Sequence, residues 1–519
     1  MAHRASLADD LRVAALRHGD RTAVTDGSIV LTYTELDRAA GRVAEALRDH
    51  GVRDGECVVW HGAKSSTAVA VVHGILRSGA GYVPLDPDGP VARADLIVRR
   101  CRPRALVVDT TARDQWRGIT PELVWHPLLD TAALDRELWI AVPEGRPRGA
   151  VADLAYVLHT SGSTGHPKGV THTHASASAF VDWSVRELAL TEDDVIINSA
   201  PLHFDPTTLH LFGAVRAGAA LAMVPAAAAP FPAAYIGFVR DVGGTVWYAV
   251  TSTLSWLTRR GKDLLPELGS LRAAVVGGEV LSPDDVNDLL AAVPGIRLLN
   301  VYGPTESNVC TFHEIRGPQQ PGTTIPIGRV LPGAEITVVD ELLETVEPGA
   351  AGQLLVRGSM LMEGYLDPEQ TARAFVRTPD GRDWYASGDH VVETPSGELE
   401  FIGREDAQIK SRGFRIELGE VERHIRSLDG IHECVAVATP DAVFSNLITA
   451  FVTADSADHA RRVPGLLRSR LPSYMIPQRT AVLAGDLPRL SNGKADRRSL
   501  AELAARPMQD GSDGIVIVC

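Results

Sequence analysis

Short apolar runs alternate with helix-patterned segments along most of the chain, up to about residue 400. The buried-strand candidates are ECVVWHG, RALVVD, LAYVLHT, TVWYAV, RAAVVGGE and IRLLNVYGP, and the helical segment SSTAVAVVHGILRSG follows the first of them. Each run ends where glycine or polar residues begin. Alternation of this kind predicts layered α/β structure. Because open α/β sheets bind ligands beyond the carboxyl ends of their strands, we expect functional residues there.

The pattern changes from about residue 325, where short strands and turns predict a β-rich subdomain. After the segment GREDAQIKSRGFRIELGEVERHI, the strand candidates CVAVATP and LITAFVTAD and an amphipathic helix near residues 459–470 indicate a small α+β unit. We therefore predict a large N-terminal domain (1–405) of layered α/β subdomains plus the β-rich subdomain, a small α+β C-terminal domain (406–505) and a tail (506–519).

The composition of the 519 residues is globular, with 45% hydrophobic and 22% charged residues. The net charge of −14 and the absence of a long basic run argue against nucleic-acid and membrane partners. Five scattered cysteines without a C-x-x-C pair fit a reduced cytosol. The N-terminus has no apolar signal core, and the most membrane-like stretch, 213–237, contains Arg216 and three prolines. We expect a soluble, cytoplasmic protein.

One stretch looks like a nucleotide-phosphate loop with an altered register. The stretch HTSGSTGHPKGVTHTH begins at His159. A Walker loop has lysine directly after its last glycine and a hydroxyl residue after the lysine, whereas two residues separate Gly165 from Lys168 here. Further polar clusters are GGE (277–279), NVYGPTESN (300–308), YASGDH (385–390), GREDAQIKSRGFRIELGE (403–420) and NGKADRRSL (492–500).

Together and in this order, these motifs resemble the adenylate-forming superfamily of acyl-CoA synthetases, luciferase-like enzymes and nonribosomal peptide synthetase adenylation domains. The resemblance covers the chain to about residue 500, and the segments LTYTELDRAA and LRSGAGYVPLDP are similar to the amino-acid-activating branch. It implies that a carboxylate attacks the α-phosphate of ATP and that pyrophosphate leaves. Because the loop must release the departing phosphates, it needs no tight Walker wrap.

The resemblance also implies an ATP site with Mg²⁺. The implied phosphate loop comprises Thr160, Ser161, Gly162, Ser163, Thr164, Gly165 and Lys168. The residues expected along the adenine are Gly277, Gly278, Glu279, Asn300, Tyr302 and Gly303. Asp389 suits the ribose hydroxyls, with Arg404 as a second contact. In the motif around Asp389, Ser387 and His390 stand where the family more often has Thr and Leu.

The implied catalytic set consists of Lys494, Glu306 and Thr305. The Lys494 cation would bridge the attacking carboxylate and the α-phosphate, which lowers the electrostatic barrier between two anions. Glu306 is the expected Mg²⁺ ligand because this ion prefers carboxylate oxygens, and Thr305 lies beside the phosphates. His172, His174 and His203 have no obvious further ligand nearby in sequence, so we interpret them as structural and not as a metal site.

The segment PLHFDPTTLHLFG carries the Phe-Asp pair found in amino-acid-activating relatives. By this resemblance Asp205 pairs with the substrate's α-ammonium, so acids without an amine should be rejected; the same aspartate can also cap the following helix. The implied pocket comprises Pro206, Leu209, Ala249, Val275, Gly277, Val301, Val309 and Cys310. Because this lining carries no charge and Ala249 and Gly277 leave space, we expect an uncharged, apolar side chain of moderate size. Proline, a nonproteinogenic aliphatic amino acid and a β-amino acid stay open as alternatives for the substrate.

The segment after Lys494 contains no phosphopantetheine attachment motif. We therefore predict a stand-alone enzyme that loads a separate phosphopantetheinylated carrier protein in nonribosomal peptide or antibiotic biosynthesis, with a small MbtH-like helper as an open second partner. An acyl-CoA ligase and a catalytically silent nucleotide-binding partner protein are the alternatives. We expect the small domain to turn about Asp406 between the two half-reactions, with Gly413 permitting close approach of the pantetheine arm.

Overall fold

The computed structural model describes residues 6–128, 134, 136–145, 147–162, 166–404, 408–441, 445–483, 487–489 and 495–506, and the backbone of residues 515–518. The chain divides into two compact units. The first comprises Met1–Pro87, Val98–His159 and Gly169–Gly403, and the second comprises Asp88–Ile97, Thr160–Lys168 and Arg404–Cys519. The second unit thus includes two short internal segments that the predicted division at residue 405 leaves in the N-terminal domain.

Helices and strands alternate through the first unit as the apolar pattern predicts. The helices are α1 (Leu7–His18), α2 (Tyr33–Asp49), α3 (Ser66–Arg77), α4 (Val91–Cys101), α5 (Thr110–Arg117), α6 (His174–Glu187), α7 (Ala214–Ala217), α8 (Pro232–Asp241), α9 (Thr251–Arg260), α10 (Pro283–Ala292), α11 (Pro368–Ala374), α12 (Leu418–Arg426), α13 (Ala457–Leu467) and α14 (Arg497–Ala504). A π-helical turn spans Leu209–Gly213, and 3-10 turns span Lys262–Leu268 and Ser473–Met475.

The strands are β1 (Thr22–Thr25), β2 (Val30–Thr32), β3 (Cys57–His61), β4 (Gly81–Pro84), β5 (Ala105–Asp109), β6 (Trp125–Pro127), β7 (Leu138–Ala141), β8 (Leu154–Thr160), β9 (Lys168–Thr173), β10 (Val195–Asn198), β11 (Ala220–Met223), β12 (Val246–Val250), β13 (Ala273–Gly277), β14 (Arg297–Tyr302), β15 (Thr311–Ile315), β16 (Arg329–Val330), β17 (Ala334–Val339), β18 (Ala351–Gly358), β19 (Gly364–Tyr365), β20 (Phe375–Arg377), β21 (Asp383–Glu393), β22 (Leu399–Arg404), β23 (Gln408–Ser411), β24 (Phe414–Glu417), β25 (Ile431–Asp441), β26 (Ser445–Ala454), β27 (Arg479–Leu483) and β28 (Ile515–Val518).

Two large sheets form the α/β layers of the first unit. Nine strands lie in the order β16-β15-β14-β13-β12-β10-β11-β1-β2, and eight lie in the order β19-β9-β8-β4-β3-β5-β7-β6. The strands from β11 through β10, β12 and β13 to β14 pair in parallel. Strands β3, β5 and β13 are buried along their whole length, as parallel strands covered on both faces should be. A smaller sheet, β17-β18-β21-β20 with β22 on β21, forms the β-rich subdomain. The predicted fold class is confirmed.

Side-chain alternation along β12 and β13 separates two hydrophobic cores of the first unit. Tyr248 and Val275 belong to one core, and Ala249 and Val276 belong to the other. The parallel register places Tyr248 beside Val275 and Ala249 beside Val276. Because neighbouring residues of a strand point to opposite faces of the sheet, Tyr248 and Ala249 cannot line the same pocket.

The second unit contains a β-hairpin and a small mixed sheet. Strands β23 and β24 form the hairpin, and β25 to β28 lie side by side in chain order. The predicted strands CVAVATP and LITAFVTAD correspond to β25 and β26, and the predicted amphipathic helix corresponds to α13. Beyond the prediction of a plain tail, β28 pairs antiparallel with β27, with Ile515 opposite Leu483.

The most membrane-like stretch of the sequence is divided among several elements. It contains α7, β11 and the beginning of α8. Among the described residues, no helix combines the length and apolar character that a membrane span requires.

Candidate nucleotide and amino-acid site

The predicted adenine strip lies where β13 and β14 end, at the carboxyl edge of the nine-stranded sheet. A Cβ on Gly277 would meet the Val301 carbonyl oxygen at 2.4 Å, and one on Gly303 would meet the Asn308 carbonyl oxygen at 2.5 Å. Gly278 has φ +97°, a conformation that favours glycine. The backbone can therefore pack closely at this edge only because these positions are glycines.

Asn300 lies in β14, with its side chain buried beside the strip. Its Nδ2 donates a hydrogen bond to the Pro326 carbonyl oxygen at 2.7 Å. This bond fixes the orientation of the amide and leaves Oδ1 as the acceptor that an amino group could use. The orientation suits the predicted role of Asn300 toward the amino edge of adenine.

The predicted ribose residue, Asp389, has two hydrogen-bonding neighbours in the first unit, one at its carboxylate and one at its backbone N–H. The Tyr302 hydroxyl donates to Asp389 Oδ2. The Asp389 N–H donates to Ser387 Oγ at 3.1 Å, and Ser387 Oγ donates to the Leu354 carbonyl oxygen at 2.6 Å. Ser387 therefore supplies the hydroxyl at the position where Thr is more frequent, and the departure from the family pattern leaves the support of Asp389 in place.

The turn that carries Thr305 and Glu306 is fixed from two sides. The Tyr365 hydroxyl donates to Glu306 Oε1 at 2.5 Å. His172 Nε2 lies 2.9 Å from the Thr305 carbonyl oxygen, and its Nδ1 lies 3.1 Å from Ser176 Oγ. Burial lowers the pKa of His172 to about 4, so the imidazole is neutral and Nε2 carries the proton that it donates. This histidine positions Thr305, and it belongs to the fold around the site.

The other two histidines of the sequence motif occupy separate places. His174 is the first residue of α6, and the His203 ring packs edge-on against Phe204, with ring centroids 5.2 Å apart. Within the described part of the chain, no group of three or more His, Cys, Asp or Glu side chains is arranged to hold a metal ion.

The phosphate loop belongs to the second unit and connects β8 to β9. Thr160 ends β8 and Lys168 begins β9, so the loop follows a buried strand as expected. Residues 163–165, the proposed hinge Asp406 and the proposed catalytic Lys494 lie outside the described residues. Their roles stay predictions from the sequence.

Within the second unit, a carboxylate engages a backbone N–H of the phosphate loop. The Gly162 N–H donates to Glu420 Oε2 at 3.3 Å, and Arg93 Nη1 lies 2.5 Å from Glu420 Oε1. Ser161 Oγ donates to the Arg415 carbonyl oxygen at 2.7 Å and accepts a hydrogen bond at 3.1 Å from the backbone N–H two residues further along β24. Because phosphate oxygens and carboxylates use the same backbone donors, Glu420 occupies a donor that the β- and γ-phosphates would need.

The predicted amine-binding carboxylate lies between two buried tyrosines of the first unit. Asp205 is half-buried. Burial raises the pKa values of Tyr156 and Tyr248, and the negative charge of Asp205 raises both further. Thr208 Oγ1 donates to the Tyr156 hydroxyl at 3.1 Å, which lies 3.2 Å from Asn308 Oδ1. The two phenols stay neutral, so Asp205 provides a negative charge beside two uncharged aromatic side chains.

The structure brings most of the predicted apolar lining together. One core contains Tyr156, Leu209, Tyr248, Val275, Val301 and Val309. Pro206, just before the π-helical turn, is also buried. Cys310, by contrast, packs with Tyr302 in a different core.

Two predicted features of this lining need correction. Ala249 packs with Val276 in a core different from the one that contains Tyr248 and Val275. Gly277 does not leave space for a substrate, because a side chain there would meet Val301 Cγ2 at 2.8 Å as well as the neighbouring backbone. Val301 therefore occupies the place of a side chain at position 277.

The fold and this set of motifs define the class: the chain belongs to the AMP-binding enzyme family. The family model described as AMP-binding enzyme matches residues 11–366, and the model described as AMP-binding enzyme C-terminal domain matches residues 420–494. The prediction of an adenylate-forming, ATP-dependent ligase is thereby confirmed.

The relatives of this chain include two carrier-protein ligases of similar length and much longer peptide synthases. The chain is 34% identical to an L-proline--[L-prolyl-carrier protein] ligase of Pseudomonas fluorescens, over 93% of this chain and 96% of the relative. A ligase of the same name from Streptomyces coelicolor is 35% identical, over 94% and 95% of the two chains. Bacitracin synthase 1 of Bacillus licheniformis is 33% identical over 94% of this chain. The chain spans only 9% of that synthase and 8% of bacitracin synthase 3.

Solved structures match the fold over nearly the whole chain. IdnL1 aligns with a TM-score of 0.80 and 30% identity, covering 93% of this chain and 99% of that one. Holo-PA1221, a nonribosomal peptide synthetase protein containing adenylation and PCP domains, aligns with a TM-score of 0.78 and 27% identity, covering 96% and 84%.

Proposed function

We propose that this enzyme activates an amino acid with ATP and transfers it to the phosphopantetheine thiol of a separate carrier protein. The observation that carries the proposal is Asp205, half-buried between the neutral phenols of Tyr156 and Tyr248. A carboxylate in that position is suited to an ammonium group, and an acid without an amine would not offer it that positive charge. The two carrier-protein ligases that match this chain from end to end support the same activity.

The substrate side chain that we propose is uncharged, apolar and compact, with proline as the leading candidate. Tyr248, Leu209 and the valines at 275, 301 and 309 belong to one apolar core, and a charged side chain placed among them would be buried without a partner. Val301 lies where a side chain at position 277 would stand, so the glycine leaves no extra space for a longer substrate side chain. The names of the two ligases, which specify L-proline, agree with this size and chemistry.

The first half-reaction joins the amino acid to AMP. A carboxylate oxygen attacks the α-phosphorus, the bond from that phosphorus to the bridging oxygen breaks, and pyrophosphate leaves with that oxygen. Lys494 would stabilise the charge that develops between the two anions. Glu306 and the phosphate oxygens would hold Mg²⁺, because carboxylate oxygens are ligands that this ion prefers, and the hydrogen bond from Tyr365 orients the Glu306 carboxylate. Bound Mg²⁺ supplies charge neutralisation at the phosphates.

In the second half-reaction the pantetheine sulfur attacks the carbonyl carbon, the bond from that carbon to the phosphate oxygen breaks, and AMP leaves. The same carbonyl must be reached first by Lys494 and then by the thiol, so we propose that the C-terminal domain turns about Asp406 between the steps. A small MbtH-like helper protein would be a second partner, and co-expression with one tests whether it raises the yield of active enzyme.

Mass spectrometry of a carrier protein tests the proposal. The enzyme is incubated with ATP, Mg²⁺, proline and holo-carrier, and in parallel with coenzyme A in place of the carrier. We expect the carrier to gain the mass of one prolyl group while coenzyme A stays unmodified. Formation of prolyl-CoA with an unmodified carrier would establish the acyl-CoA ligase instead, and modification of neither acceptor with any amino acid would contradict the proposal.

A further inference from the structure

A line of polar side chains, two of them fully buried, lies in the first unit beside the proposed amino-acid pocket. Lys64 Nζ lies 3.4 Å from Asn198 Oδ1 and 3.3 Å from the Ser199 carbonyl oxygen. Asn198 Nδ2 lies 2.8 Å from His210 Nδ1, and His210 Nε2 lies 3.2 Å from the Tyr248 carbonyl oxygen. Asn198 and His210 are each 0% exposed. The line therefore runs from the half-buried Lys64, in the loop before α3, through β10 to the π-helical turn and β12.

The direction of every hydrogen bond in this line is determined by Lys64. An ammonium group only donates, so Asn198 must turn its amide oxygen toward Lys64 and its amide nitrogen toward His210. His210 Nδ1 must then accept, which leaves the proton on Nε2, where it is donated to the Tyr248 carbonyl oxygen. Burial and the positive charge of Lys64 together lower the pKa of His210 to about 3, so the imidazole stays neutral.

His210 connects two elements of the pocket wall. It is the second residue of the π-helical turn, directly after Leu209, and its ring lies against Tyr248 with centroids 5.6 Å apart. Leu209 and the Tyr248 side chain belong to the core beside Asp205, and π-helical turns are frequent at functional sites. A change in His210 would therefore shift both walls together.

We propose that Lys64, Asn198 and His210 are positioning residues that fix Tyr248 and Leu209 for recognition of the amino acid. This inference rests on the proposed amino-acid activation and adds residues that do not contact the substrate. Their effect passes through the pocket wall, so it should appear in the amino-acid KM and in the discrimination between amino acids, and not in the KM for ATP.

The test is ATP–pyrophosphate exchange with Lys64→Met, which keeps the length of the side chain and removes its charge and donors. We expect the KM for the activated amino acid to rise about tenfold, roughly the contribution of one well-made hydrogen bond. The KM for ATP should change less than about twofold on the same scale. Lys262→Met is the matched control, because Lys262 is an exposed lysine paired with Asp288 on the surface.

A second pair of variants tests the inference even where Lys64→Met folds poorly. Gln at position 210 can still accept from Asn198 and donate to Tyr248, whereas Leu can do neither. We expect His210→Leu to raise the amino-acid KM clearly more than His210→Gln. Equal effects of the two, or a parallel rise in both KM values, would overturn the inference. Absence of exchange by the wild-type enzyme with every amino acid would instead refute the proposed function on which it rests.

Discussion

Neighbouring residues of β12 provide a sharp test of the pocket, because Tyr248 and Ala249 lie on opposite faces of the sheet. The perturbation is Tyr248→Ala, with Ala249→Leu as the matched variant. If Tyr248 forms a wall of the amino-acid pocket, its removal takes away one aromatic contact with the substrate side chain. A contact of this size contributes about 1–3 kcal/mol to selectivity, or roughly 10- to 200-fold in kcat/KM.

The expected result is a fall of that size in kcat/KM for proline with Tyr248→Ala, together with a relative gain for amino acids with larger side chains. Ala249→Leu should instead overpack the opposite core, which holds Ala249 at 1% exposure. Overpacking of this kind typically costs about 1–3 kcal/mol of the free energy of unfolding. We therefore expect a lower Tm with an unchanged ratio of kcat/KM between amino acids.

Exchange kinetics over a set of amino acids of increasing size, with thermal unfolding measured in parallel, separate the two effects. A changed preference in Ala249→Leu with an unchanged preference in Tyr248→Ala would refute the assignment of Tyr248 to the pocket. Unchanged preferences in both variants would refute the location of the pocket on this face of the sheet.

Three further predictions concern the nucleotide and the amine. Lys494→Ala should slow adenylate formation about a hundredfold to a thousandfold while loading from supplied aminoacyl-adenylate survives; equal loss of both steps, measured separately, would contradict this role. Asp205→Asn should raise the amino-acid KM at least about thirtyfold, the low end of the range because the carboxylate is only half-buried, while the exposed Asp241→Asn control stays at the wild-type value. Glu420→Gln should lower the KM for ATP, because it removes the charge that competes with phosphate for the Gly162 N–H; an increased KM in the exchange assay would argue that Glu420 supports the loop.

The layered fold could be predicted because its strands are nearly uniform apolar runs. Strands such as β3, β5 and β13 are buried along their whole length, and a continuous run of Val, Ala and Trp is how such strands look in sequence. The C-terminal strand β28 escaped prediction because four apolar residues in a short tail carry no periodic signal. Its partner β27 becomes apparent only in three dimensions.

The nucleotide motifs could also be recognised directly, because each is a short contiguous segment of the sequence. The face of the sheet that lines the proposed pocket could not be predicted from the sequence. In the run VWYAV every residue is compatible with burial, so the sequence does not show which of Tyr248 and Ala249 faces the substrate. Only the register between β12 and β13 determines this.

Polar contacts between residues that are distant in the sequence could not be predicted either. Glu420 lies 258 positions from Gly162, and His210 meets the Tyr248 carbonyl 38 positions away. Neither pair belongs to a local motif. A buried histidine between two polar partners has the same appearance in sequence as a histidine that only fills a core.

The measurement that tests the account most directly is ATP–pyrophosphate exchange by the wild-type enzyme with matched pairs of acids. Proline is compared with cyclopentanecarboxylic acid, which has the same ring size and carboxylate but no amine. The pairing of Asp205 with an ammonium group predicts rapid exchange with proline or another compact, apolar amino acid and only background exchange with the acid that lacks the amine. Comparable exchange with both members of the pair, or exchange with the amine-free acid alone, would contradict amino-acid activation by this enzyme.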